Sequence, residues 1–461
     1  MGTLVRKRRV TSRPQRRTVA ILAAGACSFV VHPPRPAPAS TQFEPTVDER
    51  TQSVMARFAL IRSHTRYRHW TAFDEATALS QARSAPSGPL TGLLVAVKDN
   101  IDLSWLPTSA GATSLRNRRP TRNASVVDRL LGAGAVIAGH TNMDTWARGV
   151  QTVSQTTGAT ANALNPTRGP MGSSGGSAVA VALGEVDGAL GTDTCGSLRY
   201  PAAANVIMAL RPTAGVVSRA GVVPLAPTQD VVGPMARDIR TLARLLDVIA
   251  GADPRDPLTQ RVPRADRTYT EDLQEQPGPV TAGPHRWRVG VVRTLGQFRR
   301  DRTGRTMLDK MSAAGVELVE VPVPSAPFSS VVDDESGATR PLVVSGADES
   351  RWLAEGLRVQ DRSGYASRLR DRHKSASRLT ALLDGNRLDA LAYPTTPFGP
   401  APRGQRQASA NCKFAATSGL PALALGHGVD SDDVAVPGVD LLGRAFDEST
   451  LLQLGLAITE P

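Results

Sequence analysis

Two glycine- and serine-rich loops and one lysine carry most of the chemistry this sequence could perform. The loops are Gly172-Ser173-Ser174-Gly175-Gly176-Ser177 and Gly191-Thr192-Asp193-Thr194-Cys195-Gly196-Ser197. Such stretches can be flexible linkers or phosphate-binding turns before helices. Here apolar runs flank both, which points to burial within a domain. No Gly-Lys-Ser/Thr follows either loop, so the nucleotide-binding P-loop pattern is missing. Residues 172–176 also fit Gly-x-Ser-x-Gly, with Ser174 as a nucleophile on a strand-to-helix turn and His427 as its base. Lys98 ends the apolar run Leu93-Leu94-Val95-Ala96-Val97. Only five of the 54 Lys and Arg residues are Lys. Arg stays charged, whereas a buried Lys can lose its proton and act as a base. The plain alternative is that Lys98 pairs with Asp99 or extends to solvent.

The elements around these residues alternate between two periods. Residues 46–84 read as helical, with Val54, Phe58 and Ile61 on one face. Leu93–Val97 and Ala135–Ala138 read as strands buried on both faces. Ser125–Leu131, Ser177–Leu183 and Ile239–Ala250 read as helices, the last closed by Gly251. Residues 252–285 read as a long surface connection. Beyond it, Val289–Val292, Val316–Val321 and Leu388–Tyr393 read as strands, and 345–385 as helical. Strands alternating with helices indicate an α/β fold with a mixed or mostly parallel sheet.

Composition narrows the function classes. The 461 residues carry a formal charge of +12. Residues 1–40 hold eight Lys and Arg and no Asp or Glu, which leaves about +4 for the rest. A nucleic-acid footprint on the globular part is therefore not expected. Aromatics are only 4%, too few for base-stacking platforms. The first forty residues run basic (Arg6–Arg17), apolar (Thr18–Val31), then Pro-rich, with Ala37-Pro38-Ala39 as a cleavage site. This is the order of an export signal, and Arg16-Arg17 suggests the twin-arginine type. The alternative is a basic leader on a cytoplasmic protein. Cys27 falls in that segment and leaves Cys195 and Cys412 in the mature chain. Those two make no disulfide framework and show no metal-ligand spacing. No metal or cofactor is expected, and no span crosses a membrane in the mature chain.

In order along the chain stand Gly92–Asn100, Gly139-His140-Thr141-Asn142-Met143, the two loops, and Leu198-Arg199-Tyr200-Pro201-Ala202-Ala203. Leu210-Arg211-Pro212-Thr213, Val231–Arg237, Gly419-Leu420-Pro421-Ala422 and Gly443–Asp447 follow. Together these resemble the amidase signature hydrolases over nearly all of 45–456, most densely over 90–251. The resemblance implies one domain with a central mixed sheet flanked by helices on both faces. Residues 258–400 would form its more variable, substrate-facing part. It also implies a Ser–Ser–Lys triad: Ser197 as nucleophile, Ser173 as bridging serine after a cis peptide bond, and Lys98 as base. The N–H groups of Thr194, Cys195, Gly196 and Ser197 would form the oxyanion hole. Ser174, Asp193 and Arg199 would support the loops. Cys195 departs from the pattern, since many relatives carry Gly there; a positive φ at that position would strain a cysteine.

The function so implied is hydrolysis of a carboxylic amide, in a small molecule or a peptide, through a seryl acyl-enzyme. Three alternatives stand beside it. One is the amidase subunit of a tRNA-dependent amidotransferase, which needs partner subunits. Another is the Ser174–His427 hydrolase. The third is a non-catalytic receptor or scaffold. A homo-oligomer is compatible with all of them.

Overall fold

The computed structural model describes residues 44–263, 267–274, 286–292, 302–322, 324–347, 351–352, 364–426, 428 and 438–460. Residues 1–40, read above as an export signal, and His427 lie outside these residues. The strands are β1 (Trp70–Phe73), β2 (Leu94–Lys98), β3 (Val136–Thr141), a ribbon of β4 (Val153–Ser154) and β5 (Gly158–Ala159), and β6 (Gly188–Asp193). Then come β7 (Met208–Arg211), β8 (Val231–Ala236), β9 (Arg288–Val292), β10 (Glu317–Val321), β11 (Ala390–Pro394), β12 (Ala422–Leu425) and β13 (Val439–Leu442). Apart from the ribbon they form one eleven-stranded sheet in the order β1-β3-β2-β6-β8-β7-β12-β13-β11-β9-β10. It is mixed. β3, β2 and β6 run parallel, as do β11, β9 and β10, whereas β8, β7, β12 and β13 join them through antiparallel pairs.

Every side chain of β2 is buried, because the sheet is covered on both faces. Strand alternation sends Val95 and Val97 to a core shared with helices Ile239–Ile249 and Glu448–Thr459. Leu94 and Ala96 face a second core with helices Val47–Ser63, Glu75–Ser84 and Gly175–Ala182. Lys98 follows Leu94 and Ala96 in parity, so it leaves the strand on the face covered by Gly175–Ala182. That helix is built from Gly, Ser, Ala and Val alone, which lets it lie close to the sheet.

Several expectations need correction. Residues 46–84 are two helices separated by β1, which pairs antiparallel with β3. A short edge strand of half-buried side chains has little periodicity of its own and exists through its partner. Residues 252–263 are more than a surface connection: Asp253, Asp256 and Thr259 are buried, and Asp256 pairs with Arg219 at 2.5 Å. The helical region near 345–385 contains Tyr365–Gly385, but a helix Val332–Val344 precedes it and carries Pro341 inside.

Candidate active site

Lys98, at the end of β2, is fully buried. Its Nζ lies 2.7 Å from Ser173 Oγ, 2.9 Å from Ser174 Oγ and 2.8 Å from Thr192 Oγ1. An ammonium has three N–H groups, and all three meet a hydroxyl. Asp99 does not pair with it; its carboxylate accepts from Ser109 and Gly111 instead. Burial lowers the Lys98 pKa from 10.5 to about 7, although Asp144, Asp193 and Asp230 pull the other way. Those carboxylates are held elsewhere. Asp144 accepts the N–H groups of Gln151, Thr152 and Val153 at 2.8–3.0 Å. Asp230 accepts from Thr194 Oγ1 at 2.5 Å and from the N–H groups of Leu225 and Ala226 at 2.9 Å.

Ser173 and Ser174 lie in the turn that leads into helix Gly175–Ala182, and the Gly172–Ser173 peptide bond is cis. The Ser174 N–H donates to the Ser197 carbonyl at 3.1 Å, which docks the first loop on the second. The Ser174 hydroxyl accepts from Lys98 and from the Thr192 N–H, and it donates to the Thr192 carbonyl. It can come this near β6 because position 191 is glycine: a Cβ there would stand 2.8 Å from Ser174 Oγ. Ser197 is 5% exposed, whereas Ser173 and Ser174 are sealed. Its hydroxyl makes no hydrogen bond among the described residues. The structure thus joins Lys98 to Ser173 directly and Ser173 to Ser197 only through the docked loops.

The other side of the Ser197 loop is ionic. Asp193 Oδ1 accepts the Gly196 N–H at 2.8 Å and Arg211 Nη1 at 3.0 Å. Its Oδ2 accepts Arg199 Nε at 3.1 Å. Arg199 also pairs with Asp440. Burial raises the Asp193 pKa, but Arg199 and Arg211 outweigh it and hold the carboxyl at about 2. Gln229 Nε2 donates to the Thr194 carbonyl at 2.7 Å. Two readings of the loop change as a result. The Gly196 N–H, expected in an oxyanion hole, is committed to Asp193; those of Thr194, Cys195 and Ser197 make no hydrogen bond among the described residues. The positive φ of the loop (+86°) falls at Gly196, not at Cys195.

The cysteines are also corrected. Cys195 and Cys412 form a disulfide with Cα atoms 5.0 Å apart at a sequence separation of 217. No local spacing could announce it. β12 pairs with β7, which brings the start of helix Lys413–Ser418 beside the Ser197 loop.

Residue types in the loops did not mark Thr192, Asp144, Arg211, Gln229 or Asp440. Thr192 and Arg211 lie in the motif runs but carried no signal of their role. Asp440 stands in β13, distant in sequence. No cluster of three or more His, Cys, Asp or Glu fit to hold a metal exists among the described residues. No described helix is long and apolar enough to cross a membrane.

A protein-family profile described as Amidase matches residues 49–332. The chain belongs to the amidase family. Its enzymes act on carbon–nitrogen bonds as hydrolases or amidotransferases. This amidase-family chain is 33% identical to a glutamyl-tRNA(Gln) amidotransferase subunit of Natronomonas pharaonis over 415 residues, which cover 80% of this chain and 96% of that one. Among solved structures it is similar to the peptide amidase of Stenotrophomonas maltophilia: 30% identity, TM-score 0.73, 90% of this chain and 94% of that one covered. A peptide amidase bound to the competitive inhibitor chymostatin matches at 29% identity and TM-score 0.76, with the same coverage.

Proposed function

We propose that this amidase-family enzyme hydrolyses a carboxylic amide through a seryl acyl-enzyme, with Ser197 as nucleophile, Ser173 as relay and Lys98 as base. The observation that carries the reading is a buried lysine with a pKa near 7, 2.7 Å from Ser173 Oγ on the loop docked to Ser197. Neutral Lys98 has a lone pair and can accept a proton from Ser173 as Ser173 takes one from Ser197. The Ser173–Ser197 contact closes when substrate binds, since catalytic hydrogen bonds are often long in the free enzyme. Ser197 Oγ attacks the amide carbonyl, and the N–H groups of Thr194, Cys195 and Ser197 hold the oxyanion. Each such donor contributes about 3–4 kcal/mol in acyl transfer. The proton then returns through Ser173 to the leaving amine, and water releases the acyl group.

The test is labelling of the purified full chain with a fluorophosphonate, with the modified peptide mapped by mass spectrometry. Label on Ser197 that vanishes in Lys98→Ala supports the triad. Label on Ser174 moves the activity to the Gly-x-Ser-x-Gly reading, in which Ser174 would have to leave its bonds to Lys98 and Thr192.

The second reading, one component of a tRNA-dependent amidotransferase, is favoured by the relatives that carry that name over most of both chains. Hydrolysis of amidated peptides by the isolated chain supports the stand-alone amidase. Ammonia release from glutamine alone, dependent on added partner subunits, supports the other. Export by the segment 1–40 is part of the proposal. The order of that segment supports it, as does a disulfide of the kind that persists in oxidising compartments. Met1 found intact on the protein from the cytosolic fraction overturns it.

A further inference from the structure

We infer that the Cys195–Cys412 disulfide positions the oxyanion-holding N–H groups of the nucleophile loop, so that thiol–disulfide exchange at this bridge sets the rate of the serine chemistry. This rests on the amidase reading above.

The loop from Thr194 to Ser197 is held from two sides. From the sheet, Asp193 takes the Gly196 N–H, Asp230 takes the Thr194 hydroxyl, and Gln229 takes the Thr194 carbonyl. From the opposite side comes the segment ending at Cys412. The Tyr200 hydroxyl donates to the Ala410 carbonyl at 2.6 Å and accepts the Cys412 N–H at 3.2 Å, and Arg199 Nη2 reaches the Cys412 carbonyl at 3.3 Å. These bonds end on the helix after the loop, Arg199–Ala204. The bridge is the one covalent contact between the segment and the loop itself. It attaches at the residue between Thr194 and Gly196, where two free N–H groups stand side by side, those of Thr194 and Cys195. Position 196 cannot supply the same restraint through a side chain: a Cβ there would stand 2.5 Å from the Tyr200 ring. Cys412 follows residues 395–411, which form no helix or ladder beyond isolated bridges and turns. Without the bridge, one side of the oxyanion loop is restrained only by a segment with little regular structure.

Both cysteines are partly exposed, so a small dithiol can reach them. The chemistry balances as ordinary exchange. A thiolate of dithiothreitol attacks one bridge sulfur and breaks the S–S bond. Its second thiol resolves the mixed disulfide, leaving two cysteine thiols and cyclic oxidised dithiothreitol. Oxidised glutathione reverses this: it accepts two electrons, the bridge re-forms, and two reduced glutathiones leave.

The experiment uses the full chain and measures the rate constant of fluorophosphonate labelling at Ser197 together with the labelled fraction. Peptide mapping first shows the Cys195–Cys412 pair in protein isolated without reductant. Reduction is expected to slow labelling about ten- to hundredfold, less than the loss from deleting one donor, while the whole population still labels. Oxidised glutathione restores the rate. Cys412→Ala and Cys195→Ala are expected to sit at the reduced rate and to ignore reductant. A merely structural bridge would lower the labelled fraction and leave the rate constant alone, and that outcome overturns the inference. So does an unchanged rate on reduction, or two free thiols in the oxidised protein. If the variants do not fold, the reduction and re-oxidation cycle on the unaltered chain still decides. A chain whose Ser197 never labels in the oxidised state fails the amidase reading instead, which keeps the two failures apart.

Discussion

Two buried polar clusters flank the same serine, and they treat their cations in opposite ways. On one side Lys98 faces three neutral hydroxyls, those of Ser173, Ser174 and Thr192. On the other, Arg199 and Arg211 face the carboxylates of Asp193 and Asp440. Hydroxyls solvate an ammonium but do not neutralise it, so burial wins and Lys98 titrates near 7. Carboxylates neutralise the guanidiniums, and the Asp193 carboxyl is held at about 2. The first cluster holds an amine that can change charge at neutral pH, as the proposed base requires. The second keeps Asp193 ionised through neutral pH between two guanidiniums, which suits a scaffold for the loop. Arg could not replace Lys in the first cluster, because its guanidinium stays protonated.

The largest effect belongs to the serine between the clusters. If Ser197 is the nucleophile as proposed, Ser197→Ala is expected to lower kcat by about 10⁶-fold on an amidated peptide, the loss seen when a catalytic serine is removed. Residual turnover near the unaltered rate would move the nucleophile elsewhere.

Next comes the proposed base, Lys98. Lys98→Met is expected to lower kcat/KM by about 10⁴-fold without lowering the midpoint of thermal unfolding, because it removes an amine whose burial is costly. In the unaltered enzyme Lys98 is protonated below about pH 7 and neutral above it. Activity should therefore rise with pH through about 7, and Lys98→Arg should show no such rise. An acid limb that persists in Lys98→Met would assign it to another group.

On the ionic side the expected loss is stability. Asp193→Asn leaves Arg199 and Arg211 short of a charge, and urea unfolding should show a loss of about 3–5 kcal/mol. The sign with pH follows from the lowered pKa. Asp193 ionises at about 2 in the folded chain against an ordinary 3.8. Its stabilisation is complete above 3.8 and disappears as the pH falls through 2. Melts of the unaltered chain and of Asp193→Asn should converge over that range.

Thr192→Val keeps the shape but removes one acceptor from the Lys98 ammonium. The acid limb should move to lower pH by about one unit, or 1.4 kcal/mol, with activity at pH 8 changed by less than about tenfold. A limb that moves upward would mean that Thr192 favours the neutral amine. The smallest effect is a control outside both clusters. Arg62 and Glu75 pair in solvent, and Arg62→Ala should change stability by less than about 1 kcal/mol.

The base side was more legible in the sequence than the ionic side. Lys98 was marked by its rarity and by the apolar run before it, and Ser173, Ser174 and Ser197 by two loops of unusual composition. The resemblance to the amidase signature family then assigned their order. β2 and β3 were readable as continuous buried runs and helix Ile239–Ile249 by its apolar periodicity, whereas β6 was not: Gly191–Asp193, read as the start of a loop, completes that strand. β1 was missed because an edge strand is defined by the neighbour it pairs with. Asp193 and Arg199 were expected to support the loop, but Arg211 beside Asp193 and Asp440 beside Arg199 were missed for a similar reason: they come from β7 and β13, and nothing local says that they converge.

Short stretches of sequence were enough for the local facts: which strands are apolar throughout, which loops need glycine, and which single lysine ends a buried run. These follow from side-chain size and polarity along a few consecutive residues. Commitments between distant residues were settled by the folded chain. Folding gave Lys98 hydroxyl neighbours rather than Asp99, committed the Gly196 N–H to Asp193, and brought Cys195 to Cys412 over a sequence separation of 217. The reason is that a hydrogen bond, an ion pair or a disulfide depends on separations of a few ångströms. In this chain those separations are set by the order of strands in the sheet.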